Sequence, residues 1–156
     1  MLFQDLLLAM VGVFAALALG AMLFFGAVVA PTVFRVLPAE LGGSFLRRLF
    51  PTYYLVLAGV TGLAAALALA APLSGGADPA GWTRLWLLPA ILTLCCAGFV
   101  FARQWLTPRI NASRDAALAG DGAASARFDR LHKASVRLNG AQAAALLVAV
   151  AWPFFA

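Results

Sequence analysis

LLLAMVGVFAALALGAMLFFGAVVA, residues 6–30, runs for 25 positions without one charged side chain. A hydrocarbon core of about 30 Å is crossed by about 20 helical residues at ~1.5 Å each. This stretch meets that length with room to spare. It has no basic region ahead of it, and it is longer than the apolar core of a signal peptide, so it reads as a retained helix. Three further stretches behave alike. Residues 50–71 carry no charge, residues 82–106 carry only Arg84 and Arg103, and residues 138–155 are interrupted only by Asn139 and Gln142. None alternates polar and apolar residues as a membrane barrel strand does. The expected fold is therefore all-α: one domain over 1–156, an integral membrane four-helix bundle with helices near 3–30, 50–71, 82–106 and 125–155.

Composition agrees. The chain is 64% hydrophobic and 11% charged, with a mean hydropathy of +0.96, well outside the range of soluble domains. Its net charge of +5 is unevenly placed. Arg35, Arg47 and Arg48 lie between helices one and two, and seven more basic residues lie at or between the ends of helices three and four. Only Arg84 falls on the other side. The positive-inside rule makes the basic loops cytoplasmic and puts both termini outside. The same residues suit anionic lipid headgroups, and no nucleic-acid partner is expected.

Small residues recur at four-residue spacing: Gly12, Ala16 and Gly20; Ala58, Gly62, Ala66 and Ala70; Ala90, Gly98 and Ala102; Gly140 and Ala144. Such stripes let membrane helices approach closely, so Gly20→Leu or Gly62→Leu should loosen the bundle. The segment after residue 30, with Phe34, Leu37, Phe45 and Leu46, reads as lying along the membrane surface. Pro51 suits the first turn of helix two. Tyr53, Tyr54 and the four tryptophans fall at interface depth. Residues 72–81, PLSGGADPAG, read as an outward turn. In the second inward connection Asp121-Gly122 breaks the chain into two helical pieces, the second capped by Ser125.

The stretch RFDRLHKASVRLNGAQ, residues 127–142, carries five charges and the single histidine. At ~100° per residue, Phe128, His132, Ser135, Asn139 and Gln142 share an arc of about 80°, with Arg127, Arg130, Lys133 and Arg137 opposite. An unpaired amide in hydrocarbon costs several kcal/mol, so Asn139 and Gln142 should turn inward, towards Thr52, Tyr53, Tyr54 or Arg103. One reading makes the amides interhelical glue. The other makes the stripe an inward polar pocket, with His132 as ligand or proton carrier. The candidate ligand-binding set is His132, Ser135, Asn139, Gln142, Arg109, Tyr53 and Arg103.

Catalytic templates do not fit. Asp129, His132 and Ser135 sit on one helix, where no in-line relay with oxyanion donors can form. The adjacent Cys95 and Cys96 read as packing residues, and with one histidine they make no tetrahedral zinc site. No catalytic residue, resident metal or cofactor is expected.

The motifs APTVFRVL (30–37), LFPTYY (49–54), PRINASR (108–114) and FDRLHKASVRLN (128–139) resemble, in that order, bacterial four-helix proteins of the domain-of-unknown-function 4149 type, similar to animal transmembrane protein 205. The resemblance implies an inner-membrane protein without an agreed biochemical activity; with the placement of the basic residues, the expectation is a multi-pass protein with periplasmic termini. The animal relative's association with platinum-drug resistance implies transport or trafficking. A fainter likeness reaches copper-resistance D-like and haem-biosynthetic membrane proteins, which carry more intramembrane histidines. The leading expectation is a non-enzymatic protein that binds or transports a small ligand, with a homo-oligomer an open alternative. The alternatives are a haem- or metal-dependent redox enzyme using His132, marked by a Soret band lost in His132→Ala, and a structural assembly subunit.

Overall fold

Proline normally ends a helix, because its ring meets the preceding carbonyl and it donates no hydrogen bond. Pro31, Pro51 and Pro108 do not end theirs. In the computed structural model, which describes residues 2–73 and 82–154, the chain forms four long rods. The first comprises α1 (Leu2–Phe24), a π-helical turn (Phe25–Val29) and α2 (Ala30–Val36). The second is α3 (Ala39–Leu73) alone. The third comprises α4 (Trp82–Phe101), a second π turn (Ala102–Leu106) and α5 (Thr107–Leu118). The fourth is α6 (Gly122–Ala151), closed by one 3₁₀ turn at Trp152–Phe154.

Each π turn directly precedes a helix with proline in its first positions. The Ala30 N–H reaches back to the Phe25 carbonyl, and the Thr107 N–H to the Ala102 carbonyl. These five-residue steps widen the turn that meets the ring, so the rod continues. Three expectations change as a result. The first helix runs on to Val36, and the second starts at Ala39, with only Leu37 and Pro38 between them. The segment expected along the membrane surface is instead the continuation of two rods. Pro51 lies inside α3, well past its first turn.

At the other basic-end connection, α5 stops at Leu118 and Gly120 adopts φ +98°. That left-handed step suits glycine. Asp121, not Ser125, caps α6: its carboxylate accepts from the N–H groups of Ala123 at 2.9 Å and Ala124 at 3.2 Å. Ser125 is exposed inside the helix. The outward turn lies, from residue 74 to 81, outside the described residues.

All four rods are long and apolar enough to cross a membrane. At ~1.5 Å per residue α3 is ~50 Å long, so it overshoots a ~30 Å core by several turns. Large apolar side chains cover the outside, among them Leu17, Leu63, Leu94 and Leu147. A surface that apolar suits lipid rather than water.

The interior divides in two. Away from the basic loops it is built of Ala15, Ala64, Ala65, Ala68, Ala71 and Ala149, all buried. Thr61, fully buried, turns its hydroxyl back to the Leu57 carbonyl at 2.7 Å, and Cys96 Sγ donates to the Ala58 carbonyl. The expected small-residue faces are thus partly misplaced. A methyl built on Gly12, Gly20 or Gly140 meets nothing within 4 Å, and Ala16, Ala66 and Ala144 are exposed. Ala58, Gly98 and Ala102 do face neighbours, and Gly62 sits 3.4 Å from Cys96 Sγ. Helix one packs instead through Leu7, Val11, Ala15, Ala18 and Met22.

Candidate functional site

Toward the basic end the alanines give way to aromatic rings. The π turn holds Phe25 stacked on Tyr53, with ring centroids 4.5 Å apart, and Phe50 stacks on Tyr54 at 5.7 Å. Tyr54 is only 1% exposed. It is a core residue rather than part of an interfacial belt, whereas Trp86 and Trp105 are exposed.

Beside these rings lies a cavity of about 550 Å³, within the usual size of a small-ligand site. One wall is α6, through Phe128, His132, Ser135, Val136, Asn139 and Ala143. This i, i+4, i+7, i+8 spacing is one helical stripe. A second wall is α5, through Thr107, Ile110, Asn111 and Arg114, again one stripe. Phe25 and Gly26 from the first π turn, with Gly43, Arg47, Phe50 and Tyr53 from α3, complete it.

Of the seven expected ligand-binding residues, His132, Ser135, Asn139 and Tyr53 meet at this cavity. His132 is exposed and stacks flat against Phe128, 7° from parallel. Asn139 Nδ2 donates to the Tyr54 hydroxyl at 3.0 Å and to the Ser135 carbonyl at 2.9 Å, while Tyr54 and Ser135 hydroxyls lie 3.4 Å apart. Asn139 Oδ1 is buried without a partner among the described residues.

The other three lie elsewhere. Gln142 is about 80° round the helix from His132; it is buried and donates to the Cys95 carbonyl at 3.0 Å, tying α6 to α4. Arg103 donates to the Pro51 carbonyl at 3.1 Å. Arg109 is exposed, with its guanidinium 3.8 Å over the Trp105 ring. No hydrogen bond joins His132 to Ser135 or Asp129 among the described residues, so no relay forms there.

Sequence reasoning missed Arg114, Asn111, Thr107 and Arg47 as cavity residues. The signal was available: positions 107, 110, 111 and 114 carry the i, i+3, i+4, i+7 spacing of one helix face. Arg47 is held by Asp115 through two parallel hydrogen bonds of 2.7 and 2.9 Å. Both side chains are about half exposed, at 44% and 51%. Asp115→Asn is therefore expected to lower stability only slightly, by a difference that shrinks at high salt. Unfolding midpoints at two salt concentrations check this, and a loss independent of salt would contradict it. Arg114 is partly buried and has no hydrogen bond or ion pair among the described residues. Its guanidinium occupies the space where a methyl on Gly43 would stand.

No curated protein and no solved structure matches the chain. The family profile described as "Domain of unknown function (DUF4149)" matches residues 13–118, from the middle of α1 to the end of α5 and short of α6. Most of the chain is covered, and the protein belongs to the DUF4149 family.

Proposed function

We propose that this DUF4149 protein is a non-enzymatic multi-pass protein of the bacterial inner membrane that binds, and so moves or presents, a small ligand at its cytoplasmic end. One observation carries the reading: a cavity of about 550 Å³ opens at the basic end of the bundle, whereas the interior away from it is filled by buried alanines together with Val11, Leu57, Leu92 and Leu146. Membrane bundles gain their stability from close packing, so a hollow at one level forgoes contacts that the other level makes. The gathering of basic residues at this end supports its cytoplasmic side, and the termini then face the periplasm.

Gly140 lines the cavity, and a side chain added there meets no protein atom within 4 Å. Gly140→Phe should therefore fold normally and obstruct the cavity. Native mass spectrometry of protein extracted from its own membrane should show a bound small molecule on the wild type and none on Gly140→Phe. Bare wild-type protein, or the same adduct on both, would count against ligand binding at this place.

A further inference from the structure

The cavity is long. On α6 it extends from Phe128 to Ala143, a rise of ~22 Å at ~1.5 Å per residue. That length and a volume of about 550 Å³ make it a slot along which a carbon chain can lie. The slot also reaches the flank of the bundle. Leu23 on α1 and Val136 on α6 both line it, and both are 58% exposed. They belong to the apolar outside that faces lipid, so an occupant can enter sideways from the bilayer.

The two ends differ in chemistry. The deep end is bounded by Met22, Gly26 and Ala143. The shallow end, level with Phe128, holds Arg114, carried there by α5 across the short Gly120 turn. No aspartate or glutamate lines the slot. The carboxylate next in sequence to Arg114, that of Asp115, already receives both hydrogen bonds from Arg47. The Arg114 charge also acts on Asp115 and helps to hold that carboxyl below its usual range. The Arg114 guanidinium nevertheless makes no hydrogen bond among the described residues, and beside an apolar slot it can recognise a carboxylate or phosphate with its planar fork. Gly43 is the residue type that lets it stand there, because any Cβ at that position overlaps the guanidinium.

We propose that the slot binds an anionic amphiphile, with its acidic head on Arg114 and a carbon chain lying along α6 towards Ala143. This rests on the cavity being a ligand site. The acid is a phosphate or carboxylate, and the chain requirement separates a lipid-derived ligand from a free anion.

The test uses purified full-length protein in a neutral glycoside detergent, with one-to-one binding read by native mass spectrometry. Four probes are compared: a palmitoyl lysophosphatidic acid, the lysophosphatidylcholine of the same chain, monopalmitoyl glycerol, and inorganic phosphate. The acidic amphiphile should bind at least about tenfold more tightly than the zwitterionic or neutral one, and Arg114→Gln should remove that preference. Gly43→Ala, which moves the guanidinium without deleting it, should weaken the same preference. Arg48→Gln, at an exposed position outside the slot, should leave it intact. Equal binding of all three amphiphiles, unchanged in Arg114→Gln but lost in Gly140→Phe, would overturn the anionic assignment while leaving the ligand site standing. Inorganic phosphate competing as well as the acidic amphiphile would overturn the chain. Binding of no probe, or binding unaffected by Gly140→Phe, would overturn the inference and the ligand-site reading together.

Discussion

Gly98→Leu is expected to destabilise the bundle by about 2–4 kcal/mol, while Gly20→Leu leaves its stability nearly unchanged. Both glycines sit in membrane helices and look alike in sequence. A Cβ at Gly98, however, would lie 2.7 Å from Gln142 Nε2. That amide is 4% exposed and bonded to the Cys95 carbonyl at 3.0 Å, so it has little freedom to retreat. Moving it breaks the hydrogen bond that ties α6 to α4, and Gln142 Oε1 already has no partner among the described residues. The larger leucine adds overpacking between the same rods. At Gly20 a new side chain meets nothing within 4 Å and joins the apolar outside. Reversible unfolding in mixed micelles, followed by circular dichroism, measures both. Equal midpoints would show that the two glycines pack alike.

Tyr54→Ala should lower stability by about 3–5 kcal/mol, as deletion of a buried aromatic side chain does. Its ring touches Phe50, Tyr53 and Phe99, and it is 1% exposed. Tyr54→Phe keeps the ring and removes only the hydroxyl that accepts from Asn139, so its effect should be about 1 kcal/mol. The pair separates packing from polar pairing. Combining Tyr54→Phe with Asn139→Leu should give less than the sum of the single effects, with a coupling of ~0.6 kcal/mol and at most ~1.7. Strict additivity would mean that the 3.0 Å contact contributes nothing. A Tyr54→Ala protein as stable as Tyr54→Phe would remove the ring from the core.

Much of this arrangement could be read from the residues, for physical reasons. The four crossings were legible because hydrocarbon excludes charge, and uncharged runs of about 18 or more residues have few other uses. The α6 stripe was legible because 3.6-residue periodicity places His132, Ser135 and Asn139 together whatever surrounds them. Depth alone placed Tyr54 among four candidate partners of Asn139, with Thr52, Tyr53 and Arg103, since a buried amide must find a partner at its own level; it could not choose among them. Helix continuity was not legible: proline reads as a breaker, and the π turns that accommodate Pro31 and Pro108 have no residue signature. The interior face of α1 was not legible either. In lipid both faces are apolar, so Gly12, Ala16 and Gly20 carry no mark that they point outward. Gln142 was expected beside His132 because an arc of about 80° was treated as one face. Its partner, a backbone carbonyl on α4, is identical at every residue and cannot be seen in a sequence.

The change from alanine to aromatic rings along the interior also decides how the bundle can move. Interdigitated small residues hold backbones close, and separating them exposes backbone to hydrocarbon. Around the slot the rods meet instead through longer side chains, Met22, Phe25, Phe50 and Tyr54 among them. Parting the rods therefore costs more at the alanine-lined end, where backbones meet, than at the basic end, where side chains and the cavity lie between them.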